Sequence, residues 1–167
     1  MIETGKITYK KTDLDWMPEV PEHWEIMRLG GLFEERNEIV SEKDYMPLSV
    51  TMQGIVPQLE TAAKTMHVDN RKLVCIGDFA INSRSDRRGS GGLSSLNGSV
   101  SIVNTVLKPS KYYIPEYTHY LLTNKLFQDE YYAKGKGIVA DMWSTKFSDL
   151  KTIYLPVPPK NEQDEIV

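Results

Sequence analysis

The residues best equipped for chemistry lie between Asn82 and Gly92, in the run NSRSDRRGSGG. Three arginines, Arg84, Arg87 and Arg88, stand there against one acid, Asp86, while Asn82, Ser83, Ser85 and Ser90 add uncharged donors and acceptors. Guanidinium groups bond phosphates and guanine edges through paired donors, carboxamides can pair with adenine, and hydroxyls bond either backbone or base. The glycines let the backbone come close to a ligand. The same composition also suits a solvated surface loop without a ligand. Lys134 and Lys136, threaded between Gly135 and Gly137, form a second small basic loop suited to phosphate contact or simply to stopping a helix. Thr51 and Gln53 at an expected turn, and Lys146 close to Trp143, complete the candidate set.

Catalytic constellations are absent from the pattern. His23, His67 and His119 are far apart and share no metal spacing, and the single Cys75 cannot join them. Gly89-Ser90-Gly91-Gly92 lacks both the Gly-x-Ser-x-Gly nucleophile turn and the Gly-Lys-Ser/Thr phosphate loop. No spacing singles out a pair of carboxylates, which disfavours a nuclease. The expectation is therefore no catalytic residue, no metal, no cofactor and no small-molecule substrate.

A net charge of −3 and a pI near 5.7 argue at first against a polyanionic partner. The distribution points the other way. Residues 1–60 hold 6 basic and 12 acidic side chains, residues 61–151 hold 13 and 8, and residues 152–167 hold 1 and 3. A basic middle between acidic ends fits a binding face on a domain whose other faces meet solvent or protein.

The 167 residues suffice for one domain with its own core. No apolar run approaches the roughly 20 residues that span a bilayer, and the first residues lack a secretory pattern. With one cysteine, expected to be a buried spectator thiol, a reducing, cytoplasmic location follows.

These positions need a scaffold. Ile7 and Tyr9 alternate as in a short strand, although residues 1–14 equally suit a loose arm, and Pro18 and Pro21 keep the segment between Trp16 and Trp24 extended. Leu29, Leu32, Phe33 and Arg36 at helical spacing predict a short amphipathic helix over 29–38. Leu48 and Val50, a Gln53-Gly54 turn and Ile55-Val56 predict a strand, a turn and an edge segment. A strand is expected over 73–81, with a bulge at Gly77-Asp78. Asn97-Gly98 predicts a hairpin turn into a strand over 100–107. Pro115 suits the first position of a helix running to Ala133, and 150–157 reads as a last strand. The expected fold is α+β, a mixed α/β single domain with a curved, mainly antiparallel sheet and two or three packed helices. At the end, Asn161 reads as an N-cap with acids in the first turn, a helix that starts where the sequence stops; the alternative is that the last seven residues are a frayed tail.

PEHWEIMRLGGLF near the start and LPVPPKNEQDEIV at the end together resemble the specificity (S) subunits of type I restriction-modification systems. In that family a Pro-Glu-x-Trp segment opens each target-recognition domain. A Pro-x-Pro-Pro-x-x-Glu-Gln-x-x-Ile segment closes it and leads into a long helix. The matching positions are Pro21, Glu22, His23 and Trp24, and Pro156, Pro158, Pro159, Glu162, Gln163 and Ile166. The resemblance implies a DNA target-recognition domain over 1–159 and the truncated start of the connecting helix over 160–167. It implies sequence-specific binding of double-stranded DNA, one half of a bipartite site, without catalysis. Its implied partners are the DNA methyltransferase (M) subunits and the restriction (R) subunit. One recognition domain and a helix cut at its start depart from the family pattern, and suggest an excised domain or a natural half-subunit. The competing reading is a protein-interaction or regulatory module that does not bind DNA.

Overall fold

The computed structural model describes residues 6–58, 68–84, 87–136 and 144–167. His67, Ser85, Asp86, Gly137 and Trp143 lie outside them. The chain opens with β1 (Tyr9–Lys11), β2 (Glu19–Pro21) and β3 (Glu25–Arg28), then one helical turn, α1 (Leu29–Leu32). Next come β4 (Ile39–Val40), β5 (Leu48–Thr51) and β6 (Gly54–Pro57). The basic loop is framed by β7 (Arg71–Val74), β8 (Phe79–Asn82), β9 (Gly91–Leu93), β10 (Gly98–Ser101) and β11 (Asn104–Leu107). The helical part follows as α2 (Pro115–Leu122), α3 (Lys125–Ala133) and α4 (Phe147–Leu150), and β12 (Tyr154–Val157) and α5 (Lys160–Ile166) end the chain.

The fold is a mixed α+β single domain, and every named strand pair is antiparallel. Among the described residues the pairing is divided between two three-stranded sheets, β10-β7-β4 and β11-β8-β9, and three two-stranded ladders. The helices cover one core, in which Leu29, Phe79, Leu107, Phe127, Tyr131 and Leu155 are buried. A smaller core, with Leu48, Val74, Ala80 and Val106, joins the β5–β6 hairpin to the sheets. Arg71, 2% exposed, stitches that junction: its guanidinium donates to Ser99 Oγ, Ser99 O and Leu48 O at 3.0–3.3 Å.

Several elements depart from the expectations of the sequence. The expected helix over 29–38 stops after one turn, because Phe33 is extended (φ −129°, ψ 144°) and the following residues run beside β11. There Arg36 N donates to Val106 O, and Lys108 N to Glu34 O. The expected strand over 73–81 is two strands in different sheets. Gly77 at φ +94° turns the chain, and the fully buried Asp78 fixes the turn by accepting from Cys75 N and from the Arg36 guanidinium at 2.7 and 3.3 Å. Cys75 is half-buried rather than buried. The strand over 100–107 is likewise two strands in different sheets, β10 and β11, with the chain turning at Ile102-Val103. Asn97-Gly98 is no two-residue hairpin turn; Gly98 is in β10, where a Cβ would lie 2.4 Å from Met46 O. The long helix breaks at Thr123-Asn124, where Asn124 Oδ1 accepts from Leu126 N and caps α3. Over 150–157, the chain finishes α4 before β12 begins. Asn161 is not a cap: α5 starts at Lys160 behind Pro159, without a side-chain cap.

The two end motifs meet. β3 pairs with β12, from Tyr154 opposite Arg28 to Val157 opposite Glu25. Beyond that ladder, Glu162 bonds His23 Nε2 at 2.7 Å and Trp24 Nε1 at 3.4 Å. Gln163 is fully buried; its Oε1 accepts from Ile114 N, and its Nε2 donates to Tyr112 O and Pro158 O. Trp16 packs edge-on against Phe127 at 6.3 Å, the clamp expected of a stiff, indole-bearing segment.

Candidate nucleic-acid interface

Because β8 and β9 pair back to back, with Ile81 opposite Gly91, the arginine loop is held at both ends. Its backbone is well bonded. Asn82 Oδ1 accepts from Arg84 N at 3.0 Å, so this side chain shapes the loop. Arg84 O accepts from Arg87 N, Arg87 O from Ser90 N, and Asn82 N donates to Ser90 O. Gly89 sits at φ +84°, a left-handed conformation that side chains rarely adopt. Ser83 and Ser90 are buried, and Ser83 Oγ donates to Val103 O. Below the loop lies Tyr132 of α3, itself 1% exposed. Its hydroxyl hydrogen is shared between Asn82 O (3.0 Å) and Arg87 O (3.4 Å), and the Arg88 guanidinium lies over its ring at 5.2 Å. Arg87 and Arg88 are exposed above this support.

The other basic segments are laced to the same edge. Lys136 exchanges both backbone hydrogen bonds with Ser144, at 2.8 and 3.0 Å, and Arg84 pairs across the opposite side of Ser144. Thr145 N donates to Ser83 O at 2.9 Å. Thr145 is fully buried, with Oγ1 donating to Tyr131 O, and Tyr131 OH returning a bond to Thr145 O. Arg84, Lys136 and Lys146, remote in sequence, thus come together through two serines and a threonine. Lys136 Nζ lies 3.1 Å from Asp149, and Lys134 Nζ 3.7 Å from Glu130, while Lys146 is exposed.

Thr51 and Gln53 do occupy the β5–β6 turn, where Thr51 Oγ1 donates to Gly54 O and accepts from Gln53 N. This turn abuts the loop: a Cβ on Gly89 would stand 3.6 Å from Met52 Cε. Gly92 and Gly54 approach so closely that a Cβ on Gly92 would be 3.0 Å from Gly54 Cα. Gln53 is exposed; Thr51 is half-buried and committed to the turn.

Beside Arg84 opens a cleft of about 750 Å³. Lys72, Arg84, Lys146 and Lys151 line it, with Glu35 as the one carboxylate among the described residues. Lys72 Nζ donates to Asn104 O at 2.8 Å, and burial holds its pKa below the ordinary lysine value, against the pull of Glu35. Lys72, Lys151 and Glu35 are additions that the sequence did not single out. Each lies at or beside a regular element in an ordinary polar position, so composition carries no signal for them. Among the described residues no group of three His, Cys, Asp or Glu could hold a metal, and no helix is long and apolar enough to cross a membrane.

No protein-family model matches the sequence, and no curated protein does. Solved structures do match in fold. The HsdS subunit from Thermoanaerobacter tengcongensis superposes with a TM-score of 0.58 at 18% identity, over 95% of this chain and 38% of that one. The type I restriction-modification system S subunit from M. genitalium gives 0.56 at 19% identity, over 86% and 37%. A chain from a structure of complex assembly and conformational transition in the type I R-M system gives 0.54 at 17%, over 95% and 39%. At these identities the likeness shows a shared fold. This chain spans less than two-fifths of the length of each of the three.

Proposed function

We propose that residues 1–159 form a target-recognition domain that reads one half of a bipartite DNA sequence for a type I restriction-modification complex. The observation that carries this reading is the convergence of the Arg84, Lys136 and Lys146 segments on one edge, through Ser144, Ser83 and Thr145. The likeness to S subunits and the two meeting end motifs supply its context. Arg84, Arg87, Arg88, Lys134, Lys136 and Lys146 are the cations for phosphates and guanine edges, with Gln53 at the flank. Asn82, Ser83, Ser90 and Thr51 shape the loop and the turn that present them. Ser85 completes the proposed contact set. The chain performs no catalysis. Its M and R partners supply methyl transfer and cleavage, α5 is the beginning of the connecting helix, and the complex works in the cytoplasm.

The test is binding to duplex DNA, followed by fluorescence anisotropy as salt is raised. Each neutralised phosphate steepens the logarithmic salt slope by about 0.9. The R84E/R87E/R88E variant should lose binding with its circular dichroism unchanged. Full binding by that variant would refute the loop assignment. Absence of salt-dependent DNA binding in the parent chain would instead favour a protein-interaction module.

A further inference from the structure

The cleft beside Arg84 contains a group that phosphate binding does not explain. Among the described residues, Glu35 is the one carboxylate that lines it with Lys72, Arg84, Lys146 and Lys151. A carboxylate facing a polyanion repels it and weakens backbone binding. Glu35 favours the charged form of Lys72 at a distance, without bonding it. The Lys72 amine is bonded to Asn104 O, and no ion pair within 4 Å joins it to Glu35 among the described residues.

Glu35 is instead held as an acceptor. Its backbone pairs with Leu107, and its Oε1 accepts from Asn37 Nδ2 at 2.8 Å. Oε2 has no hydrogen-bond partner among the described residues. The same cleft is lined by the apolar Ile102 and Val103 of the β10–β11 turn, 45% and 38% exposed, and by Phe147. An open carboxylate oxygen in a cleft that holds both apolar and cationic side chains suits a base edge better than a phosphate. Carboxylates accept from exocyclic amino groups, as from cytosine N4, whereas arginine and lysine serve guanine.

We propose that Glu35, oriented by Asn37, is a specificity-determining residue that accepts a hydrogen bond from the exocyclic amino group of a cytosine or adenine entering this cleft. This rests on the DNA-reading function proposed above. Glu35 therefore acts with opposite signs on the two kinds of binding: it favours one base at one position and disfavours duplex DNA in general.

The test is selection from a pool of randomised duplexes with the parent chain, Glu35→Gln and Glu35→Ala, each checked for unchanged circular dichroism. The parent should select an amino-bearing base at one position. Glu35→Ala should lose that preference, by roughly 5- to 150-fold in relative affinity, the range for one good base contact. The same variant should bind the unselected pool more tightly than the parent, with other positions unchanged. Glu35→Gln, which also relieves the repulsion but keeps an acceptor, should tighten pool binding while retaining part of the preference. If the Glu35 variants select the same sequence as the parent, or change affinity equally for all sequences, Glu35 is not a reader and this inference fails alone. If the parent selects no sequence and binds without salt dependence, the DNA-reading function fails with it.

Discussion

Replacing Gln163 with methionine separates its hydrogen bonds from its volume. The side chain is fully buried and joins three main-chain groups: Ile114 N and Tyr112 O before α2, and Pro158 O between β12 and α5. Methionine fills nearly the same space but can bond none of them in the same way. A buried polar group left without a partner costs about 1–3 kcal/mol. Tyr112 and Ile114 are half-buried, so water can reach them and about 1 kcal/mol each applies, while about 2 kcal/mol suits the buried Pro158 carbonyl. The sum, about 4 kcal/mol, is a large part of the ordinary stability of a domain. Urea unfolding followed by tryptophan fluorescence should show a lower midpoint at unchanged slope, and the thermal midpoint should fall by roughly 8–16 °C. Asp164→Ala, on the exposed side of the same helix, should stay within about 0.5 kcal/mol of the parent. A loss below about 1 kcal/mol for Gln163→Met would show that α5 is not fastened through this side chain, and the account of the closing motif would fall.

Asp78→Ala removes the carboxylate that holds both the Arg36 guanidinium and Cys75 N, and should cost about 3 kcal/mol in the same urea assay. Burial raises the pKa of Tyr113, Tyr117 and Tyr131 well above the ordinary tyrosine value of 10.0. Above that pH the unfolded chain sheds protons that the folded chain keeps, so stability should fall with rising pH, by about 1.4 kcal/mol per unit for each tyrosine. Lys72, whose pKa is lowered, opposes this with a single proton below 10.5, and Tyr117→Phe should remove about a third of the tyrosine slope in alkaline denaturation series. Tyr132→Phe keeps the ring beneath Arg88 but releases the carbonyls of Asn82 and Arg87; DNA affinity should fall about 5-fold with the salt slope kept, and a changed slope would contradict the supporting role.

The basic loop was legible because arginine, serine and glycine crowd into eleven residues, a local signal. Its support was not. Tyr132 reads as one more apolar position of a helix, yet its hydroxyl fixes carbonyls 45 and 50 residues earlier in the chain. The β5–β6 hairpin was legible because Gln53-Gly54 interrupts an alternating pattern. The β10–β11 reversal was hidden, since Ile102 and Val103 keep the turn apolar and extend the alternation through it. The residues 29–38 have helical spacing, but tertiary bonding to β11 overrides it, as Arg36 N to Val106 O shows. Glu35 and Lys72 face one cleft only after the chain folds, so no local pattern could mark them. The end motifs were legible as motifs; that Glu162 grips His23 and Trp24 is knowledge the structure adds.

The ladder of β3 and β12 also fixes how this domain would bear a mechanical load. Glu25 and Val157, where the chain enters and leaves the ladder, stand opposite each other. Antiparallel hydrogen bonds run perpendicular to the strands. Tension drawn through the two ends therefore pulls along those bonds and opens them one after another, as a zip opens, rather than shearing them together. The bonds of Glu162 to His23 and Trp24 lie just outside the point of opening and take the force first. Resistance to pulling is then set largely by the attachments outside the ladder: this clasp, the Gln163 bonds to Tyr112, Ile114 and Pro158, and the packing of Trp16 on Phe127.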